Sequence, residues 1–145
     1  MPAYWILKTE PSAYSFDRLQ QDRRTVWDGV SNPLALKHLR EMTVGDPVLM
    51  YHTGDEKAMV GLARVVRAAY PDPKDPKLVV VDLEADRPLA KPVTLAAVKA
   101  DPAFADLALV RMGRLSVVPV QPEQWKRLLE MGEAGKGGKG EGGKG

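Results

Sequence analysis

Between Met59 and Glu84 the chain reads as two β-rich runs with no helical periodicity between them, and this stretch constrains the fold more than any other. Met59 to Tyr70 carries Gly61 where a bend belongs. Pro71-Asp-Pro-Lys-Asp-Pro-Lys77 follows, a turn-rich loop whose prolines break regular structure. Leu78 to Glu84 then begins as an apolar run and becomes alternating, with Val81 and Leu83 inward and Asp82 and Glu84 outward. Shorter strands lie on either side. Ala3 to Lys8 alternates from the start, Pro47 to Thr53 ends in the turn Gly54-Asp55-Glu56-Lys57, and Leu115 to Val120 is the last strand.

Helix signals punctuate these strands. Ser15 can cap a short helix through Gln21. Asn32-Pro33 is a sharper start, since Asn accepts from the first free N–H groups and Pro at the first position has none to lose. That helix puts Ala35, Leu36, Leu39 and Met42 on one face and Lys37, His38 and Glu41 on the other. Thr94 can cap a helix to Ala100, and Gln121-Pro122-Glu123 opens a final helix with the stripe Trp125, Leu128 and Leu129. Five or so strands at irregular spacing with short helices between them predict an α+β domain built on a small mixed β-barrel, not βαβ repeats.

A chain of 145 residues has room for one domain, assigned to residues 1–131. Residues 132–145 are Gly/Lys-rich with no apolar residue beyond Ala134, a composition expected to stay disordered. There is no cysteine, which excludes disulfides, thiolate catalysis and thiolate-held metals. The start lacks the pattern of a signal peptide and no stretch approaches the roughly 18 apolar residues of a membrane helix, so a cytoplasmic monomer away from membranes is expected. The formal charge is +2 from 21 basic and 19 acidic residues. Such a body does not coat duplex DNA by bulk charge, so a nucleic-acid partner requires a local patch or pocket.

Catalytic apparatus is hard to assemble from this sequence. A hydrolase or transferase needs an activated nucleophile, paired carboxylates or a metal. The two histidines, His38 on a polar helix face and His52 at a strand end, make no metal set. Glu10 can act as a base in principle, with no partner supplied by any pattern. The Gly-rich tail follows no strand and opens no helix, so it is not a phosphate loop. No cofactor or metal is implied, and a non-catalytic binding module is expected.

Polar and aromatic residues instead cluster at strand ends: Lys8-Thr9-Glu10-Pro11-Ser12, Trp27-Asp28-Gly29-Val30-Ser31-Asn32, Tyr51-His52-Thr53 and Arg114-Leu115-Ser116. A planar base needs an aromatic face, and stacking on one contributes about 1–3 kcal/mol. Its edge needs fixed donors and acceptors, available from Asn32, Ser12, Glu10 and the backbone near Gly29 and Val30. Its phosphates need cations, available as Lys8, Lys37, Arg40 and Arg114. Each residue also has a structural reading. Trp5 and Trp125 sit on apolar faces and read as core, Trp27 as either core cover or pocket wall, Asn32 as a helix cap, and Lys8 with Glu10 as an ion pair.

In these motifs the sequence resembles the EVE domain family. The matches are Tyr4-Trp5-Ile6-Leu7-Lys8-Thr9-Glu10-Pro11-Ser12 with Tyr14-Ser15, Trp27 to Asn32, Val44-Gly45-Asp46, Tyr51-His52-Thr53, Val60-Gly61, Ala69 to Pro73, and Leu109-Val110-Arg111 with Arg114 to Val117. The resemblance implies a PUA-like pseudo-barrel flanked by short helices, kinship with YTH domains, and a reader of modified bases, chiefly modified cytosine in DNA. RNA or a small nucleobase-like ligand is the alternative occupant, and an effector protein a further partner. It implies Trp27 as pocket wall, Asn32, Ser12 and Glu10 as edge contacts, Tyr51 and His52 as a facing rim, and Lys8 and Arg114 near the backbone. Ser31 stands where an Arg is usual in the family.

Overall fold

The structure, a computed structural model, describes residues 3–133. Six strands form one mixed sheet: β1 (Tyr4–Thr9), β2 (Arg24–Trp27), β3 (Pro47–His52), β4 (Ala58–Asp72), β5 (Asp75–Thr94) and β6 (Val117–Val120). Their order across the sheet is β2-β5-β4-β3-β1-β6. β1 runs parallel to β3, and every other neighbouring pair is antiparallel. Five helices flank it: α1 (Phe16–Asp22), α2 (Pro33–Glu41), α3 (Leu95–Lys99), α4 (Ala108–Arg111) and α5 (Pro122–Glu133), with a single 3-10 turn at Pro102–Phe104. This is the α+β arrangement expected from the sequence.

The caps explain where the helices start. Ser15 accepts from the Arg18 N–H at 3.1 Å. Asn32 Oδ1 accepts from the Leu34 and Ala35 N–H groups at 3.0 Å each, with Pro33 in the first turn. Thr94 accepts from the Ala97 N–H at 3.1 Å. Such caps satisfy N–H groups that a helix cannot bond internally.

The β4–β5 hairpin is longer than the sequence suggests. β4 continues through Pro71 to Asp72 and β5 begins at Asp75, so the expected loop shrinks to a tight turn. Asp72 Oδ1 accepts from the Lys74 N–H at 2.8 Å and organises that turn. The hairpin is broken by repeated register shifts, between Met59/Gly61, Leu62/Ala63, Val65/Arg67, Arg67/Tyr70 and Pro71/Asp72. Bulges bend a strand and increase its twist. Their effect is visible across the sheet: β2 and β1 stand four places apart, about 19 Å in a flat sheet, yet Trp27 and Thr9 line one cleft. The sheet is therefore strongly curled but stays open, because β2 and β6 do not pair among the described residues. This curled, open sheet is the pseudo-barrel flanked by short helices that the resemblance implied, and the small mixed barrel read from strand spacing does not close.

β2 is a strand that pattern reading missed, and it carries Trp27 opposite Val81 of β5. α4 and the 3-10 turn were also unforeseen, since four and three residues are too few to show periodicity. Trp5 and Trp125 are buried, as expected of core residues. The Trp5 indole N–H donates to Asp46 Oδ2 at 3.0 Å, and Trp125 stacks on Tyr4 with centroids 5.0 Å apart. Gly61 leaves room for the Phe16 ring, which a Cβ at that position would strike. α5 runs on through Gly132, which packs on Leu89 and Val93, to the last of the described residues. The rest of the Gly/Lys-rich segment lies outside the described residues.

Candidate functional site

Trp27 closes β2 with 8% of its surface open. Beside it lies a cleft of about 330 Å³ lined by Thr9, Ala13, Tyr14, Thr25, Val26, Trp27 and Asp28. The Tyr14 ring meets the indole edge-on, with centroids 6.2 Å apart and planes at 82°, a favoured aromatic geometry. Tyr14 is held at both ends. Its hydroxyl donates to Asp22 Oδ2 at 2.9 Å, and its carbonyl accepts from Thr9 Oγ1 at 2.8 Å. Burial raises the Tyr14 hydroxyl above its ordinary value, against an opposing hydrogen bond from Thr25. Asp28 stands half exposed at the mouth, 3.7 Å from Lys74 Nζ. The result is an aromatic corner with hydroxyls on one side and a carboxylate at the entrance.

The parallel register of β1 and β3 decides where the other candidates go. Lys8 aligns with Tyr51, and Thr9 with His52. Neighbouring residues in a strand point to opposite faces, so Lys8 and Tyr51 share one face while Thr9 and His52 share the other. Tyr51 and His52 therefore do not form one rim. His52 is 7% exposed; its Nε2 accepts from the Phe16 N–H at 3.0 Å and its Nδ1 lies 3.0 Å from Glu56 Oε1. Accepting at Nε2 places the proton of a neutral ring at Nδ1, where it donates to Glu56. His52 pins the start of α1 to the end of β3.

On the opposite face, Lys8 Nζ donates to the Gly113 carbonyl at 2.9 Å and lies 5.8 Å from the Tyr51 ring centroid. Together with Thr53, Gly54, Lys57, Leu95 and Leu109 these residues line a cleft of about 200 Å³. Burial lowers the Lys8 ammonium below its ordinary value and raises the Tyr51 hydroxyl above its own. Glu10 forms no ion pair with Lys8 among the described residues. Its carboxylate accepts from Thr53 Oγ1 at 3.2 Å and from Ser12 Oγ at 3.4 Å. It lies against Gly54, where an added Cβ would come within 3.2 Å of either carboxylate oxygen.

Asn32 spends its carbonyl oxygen on the α2 cap and also lines a third cleft, about 400 Å³, with Leu34, Arg111, Met112, Gly113, Arg114 and Leu115. Gly113 belongs to this cleft and to that of Lys8, so Asn32, Arg114, Lys8 and Tyr51 gather around one loop. Trp27 lines neither of these clefts. Gly29 adopts φ +79° in the turn after β2, a conformation suited to glycine, and Val30 is buried in the core. Lys37 and Arg40 are exposed on α2 and line none of the three clefts.

Sequence reasoning left Thr9, Tyr14, Thr25 and Asp28 off the pocket list, and Lys57 and Arg111 off the list of cations. Alternation along β1 was the available signal for Thr9. Tyr14 and Thr25 are neighbours only because the sheet curls, which no local pattern records.

Fold and site together define a family. Residues 3–131 match the family model described as the EVE domain, and the chain belongs to that family. It is similar to human thymocyte nuclear protein 1, 26% identical over 161 residues, an alignment spanning 86% of this chain and 72% of the human one. A solved structure of a Rhodopseudomonas palustris protein is 48% identical at a TM-score of 0.86, covering 90% of this chain and 92% of that one. The human THYN1 protein, solved in complex with 5-methylcytosine-containing DNA, superposes at a TM-score of 0.83 with 26% identity, covering 90% of this chain and 98% of that one.

Proposed function

We propose that this protein is a non-catalytic reader that binds DNA and holds an extruded, modified cytosine in the Trp27 cleft. The observation that carries the reading is that the chain shares its fold with a relative solved on 5-methylcytosine-containing DNA while keeping an open cleft beside Trp27. A cleft of about 330 Å³ lies at the lower end of ligand-site volumes, roughly 300–1,000 Å³, as suits a single base.

The lining matches the edges of cytosine. Its exocyclic amine is a donor and is read by acidic side chains, a role open to Asp28. The Thr25 hydroxyl proton is committed to the Tyr14 hydroxyl, which itself donates to Asp22, so Thr25 adds a second acceptor for that amine. The Thr9 hydroxyl proton is already committed to the Tyr14 carbonyl, so Thr9 offers only an acceptor. A methyl on the ring would meet Ala13 and the aromatic wall. Extruding a base costs a few kcal/mol, which stacking of about 1–3 kcal/mol together with edge hydrogen bonds offsets. One methyl group in a hydrophobic slot discriminates by about 1–3 kcal/mol, or roughly 10- to 200-fold, so selectivity is bounded.

Binding without turnover is supported by how the candidate bases are used. Both His52 nitrogens are engaged with Phe16 and Glu56, and the Glu10 carboxylate is engaged with Thr53 and Ser12. The test is a titration of one oligonucleotide carrying 5-methylcytosine, 5-hydroxymethylcytosine or plain cytosine, as DNA and as RNA, with free nucleosides beside them. Preference for a modified DNA is expected. Equal affinity for all three cytosines refutes the reading, and a response to RNA or free nucleoside alone moves it to those ligands.

A further inference from the structure

We infer that His52 is the positioning residue of the Trp27 cleft, a proton-sensitive latch whose neutral ring holds the start of α1 where the cleft needs it. The latch gives base capture a pH dependence, which rests on reading that cleft as the base site.

A helix leaves its first N–H groups without internal partners. At the start of α1, Ser15 takes the N–H of Arg18, and the Phe16 N–H goes to His52 Nε2 at 3.0 Å, across 36 residues of sequence. The contact is buried. Only a neutral imidazole has a lone pair to offer there. A proton added at Nε2 sets two donors against each other and leaves the Phe16 N–H without its acceptor.

The segment that this contact anchors is part of the cleft. Ala13 and Tyr14 come just before α1 and line the cleft with Trp27. The Tyr14 hydroxyl is bonded to Asp22, the last residue of α1, so the ring follows the helix. The Phe16 side chain fills the gap left by Gly61. That apolar seat keeps the domain folded when the His52 contact breaks, and the change stays at the entry of α1.

The charges around the ring make it responsive. Glu56 Oε1, on a half-exposed side chain, lies 3.0 Å from Nδ1 and attracts a proton to the ring, while the Phe16 N–H repels one. The residues aligned with His52 on β1 and β4 are Thr9 and Ala58, and neither is charged. On α1, Asp17 is exposed and Arg18 is paired with Asp22. Glu10 is bonded to Thr53 and Ser12, and Lys57 lines the Lys8 cleft on the other face. Among the described residues Glu56 is therefore the one charged side chain in contact with the ring.

The test follows binding of a 5-methylcytosine-containing and a plain oligonucleotide to the full chain between about pH 8 and about pH 5, where histidine changes charge. NMR of the two histidine rings and of the Trp27 indole, recorded without DNA, tracks the latch itself. Affinity for the methylated strand relative to the plain one is expected to fall about tenfold as His52 gains its proton, the effect of one buried donor left unsatisfied. The Trp27 signal of the free protein should shift in step. His52→Gln, whose amide oxygen accepts from Phe16 at any pH, should keep the high-pH preference throughout. Glu56→Gln, at a half-exposed position, should move the midpoint to lower pH, because its attraction for the proton is gone. His38→Gln should leave the profile unchanged. A preference above one that stays level while the His52 ring titrates overturns the latch, and so does a His52 ring that stays neutral throughout or a Glu56→Gln midpoint that does not move. A preference of one at every pH, with a Trp27 signal that still shifts as His52 is protonated, removes the base reader and leaves the latch standing.

Discussion

The Lys8 ammonium donates to the Gly113 carbonyl at 2.9 Å across 105 residues of sequence, and it ties the loop between α4 and β6 to the end of β1. The Lys8 backbone N–H reinforces the tie by donating to the Ser116 carbonyl at 3.0 Å. This joint holds Arg114 beside Asn32 and gives the two basic clefts their shared wall. The Gly113 carbonyl remains near solvent. Replacing Lys8 by Met is therefore expected to cost no more than about 1 kcal/mol of stability while weakening DNA binding several-fold. Thermal melting and an oligonucleotide titration on the same sample separate the two effects.

A second anchor lies deeper. Asp46 is 1% exposed and accepts from the Trp5 indole, the Thr43 N–H, the Thr43 hydroxyl and the Ala3 N–H. Burial pushes its carboxyl up, but the hydrogen bonds from Thr43, Trp5 and Ala3 together outweigh it and hold the group below its ordinary value. The folded state therefore favours the ionised form. This contribution is present above the ordinary carboxylate range and is lost as pH falls through the lowered folded value. Asp46→Ala leaves buried donors without an acceptor and is expected to cost about 3 kcal/mol or more. Asp46→Asn should cost less and should show a flatter loss of stability below about pH 5, read from denaturant melts at stepped pH.

Gly61 is needed for packing, since an added methyl meets the face of Phe16. Gly61→Ala is expected to destabilise the protein by about 1–3 kcal/mol, as overpacking does. Phe16→Leu in the same chain should recover part of the loss. Chemical denaturation of the two single variants and the double variant measures the coupling.

Arg23 ends α1 at φ +69°, with its N–H bonded to the Leu19 carbonyl at 2.7 Å. Glycine adopts that conformation without a Cβ penalty. Arg23→Gly keeps the hydrogen bond and is expected to stabilise the fold by up to about 1 kcal/mol, raising the melting temperature without altering DNA affinity.

These cases show which features a sequence carries openly. Asn32-Pro33 was legible because cap, proline and apolar face lie within one segment. The β4–β5 hairpin was legible as two β runs, but Pro71 and Pro76 hid its closeness, because a proline at a hairpin end looks like a break. β2 was invisible: four residues, with Trp27 as its one buried side chain, pair with a strand more than fifty positions away. The candidate site suffered from the same locality. Tyr51-His52 looks like one polar-aromatic cluster, but strand alternation sends one residue to a basic cleft and the other to a structural pin. Trp27 and Asn32, five positions apart, open onto different clefts. Tyr14 and Trp27 meet because bulges curl the sheet, and the curl is set by pairing register, not by any short motif.

The central claim is that Trp27 faces the bound base, and the chain's three tryptophans provide the means to test it. Each indole N–H gives its own NMR signal. Trp5 is locked to Asp46 and Trp125 is stacked on Tyr4, so both serve as internal references. Titration with DNA carrying one 5-methylcytosine is predicted to shift the Trp27 signal strongly, to move the other two little, and to do far less at Trp27 with unmethylated DNA. A Trp27 signal that stays in place while the DNA binds would contradict the account.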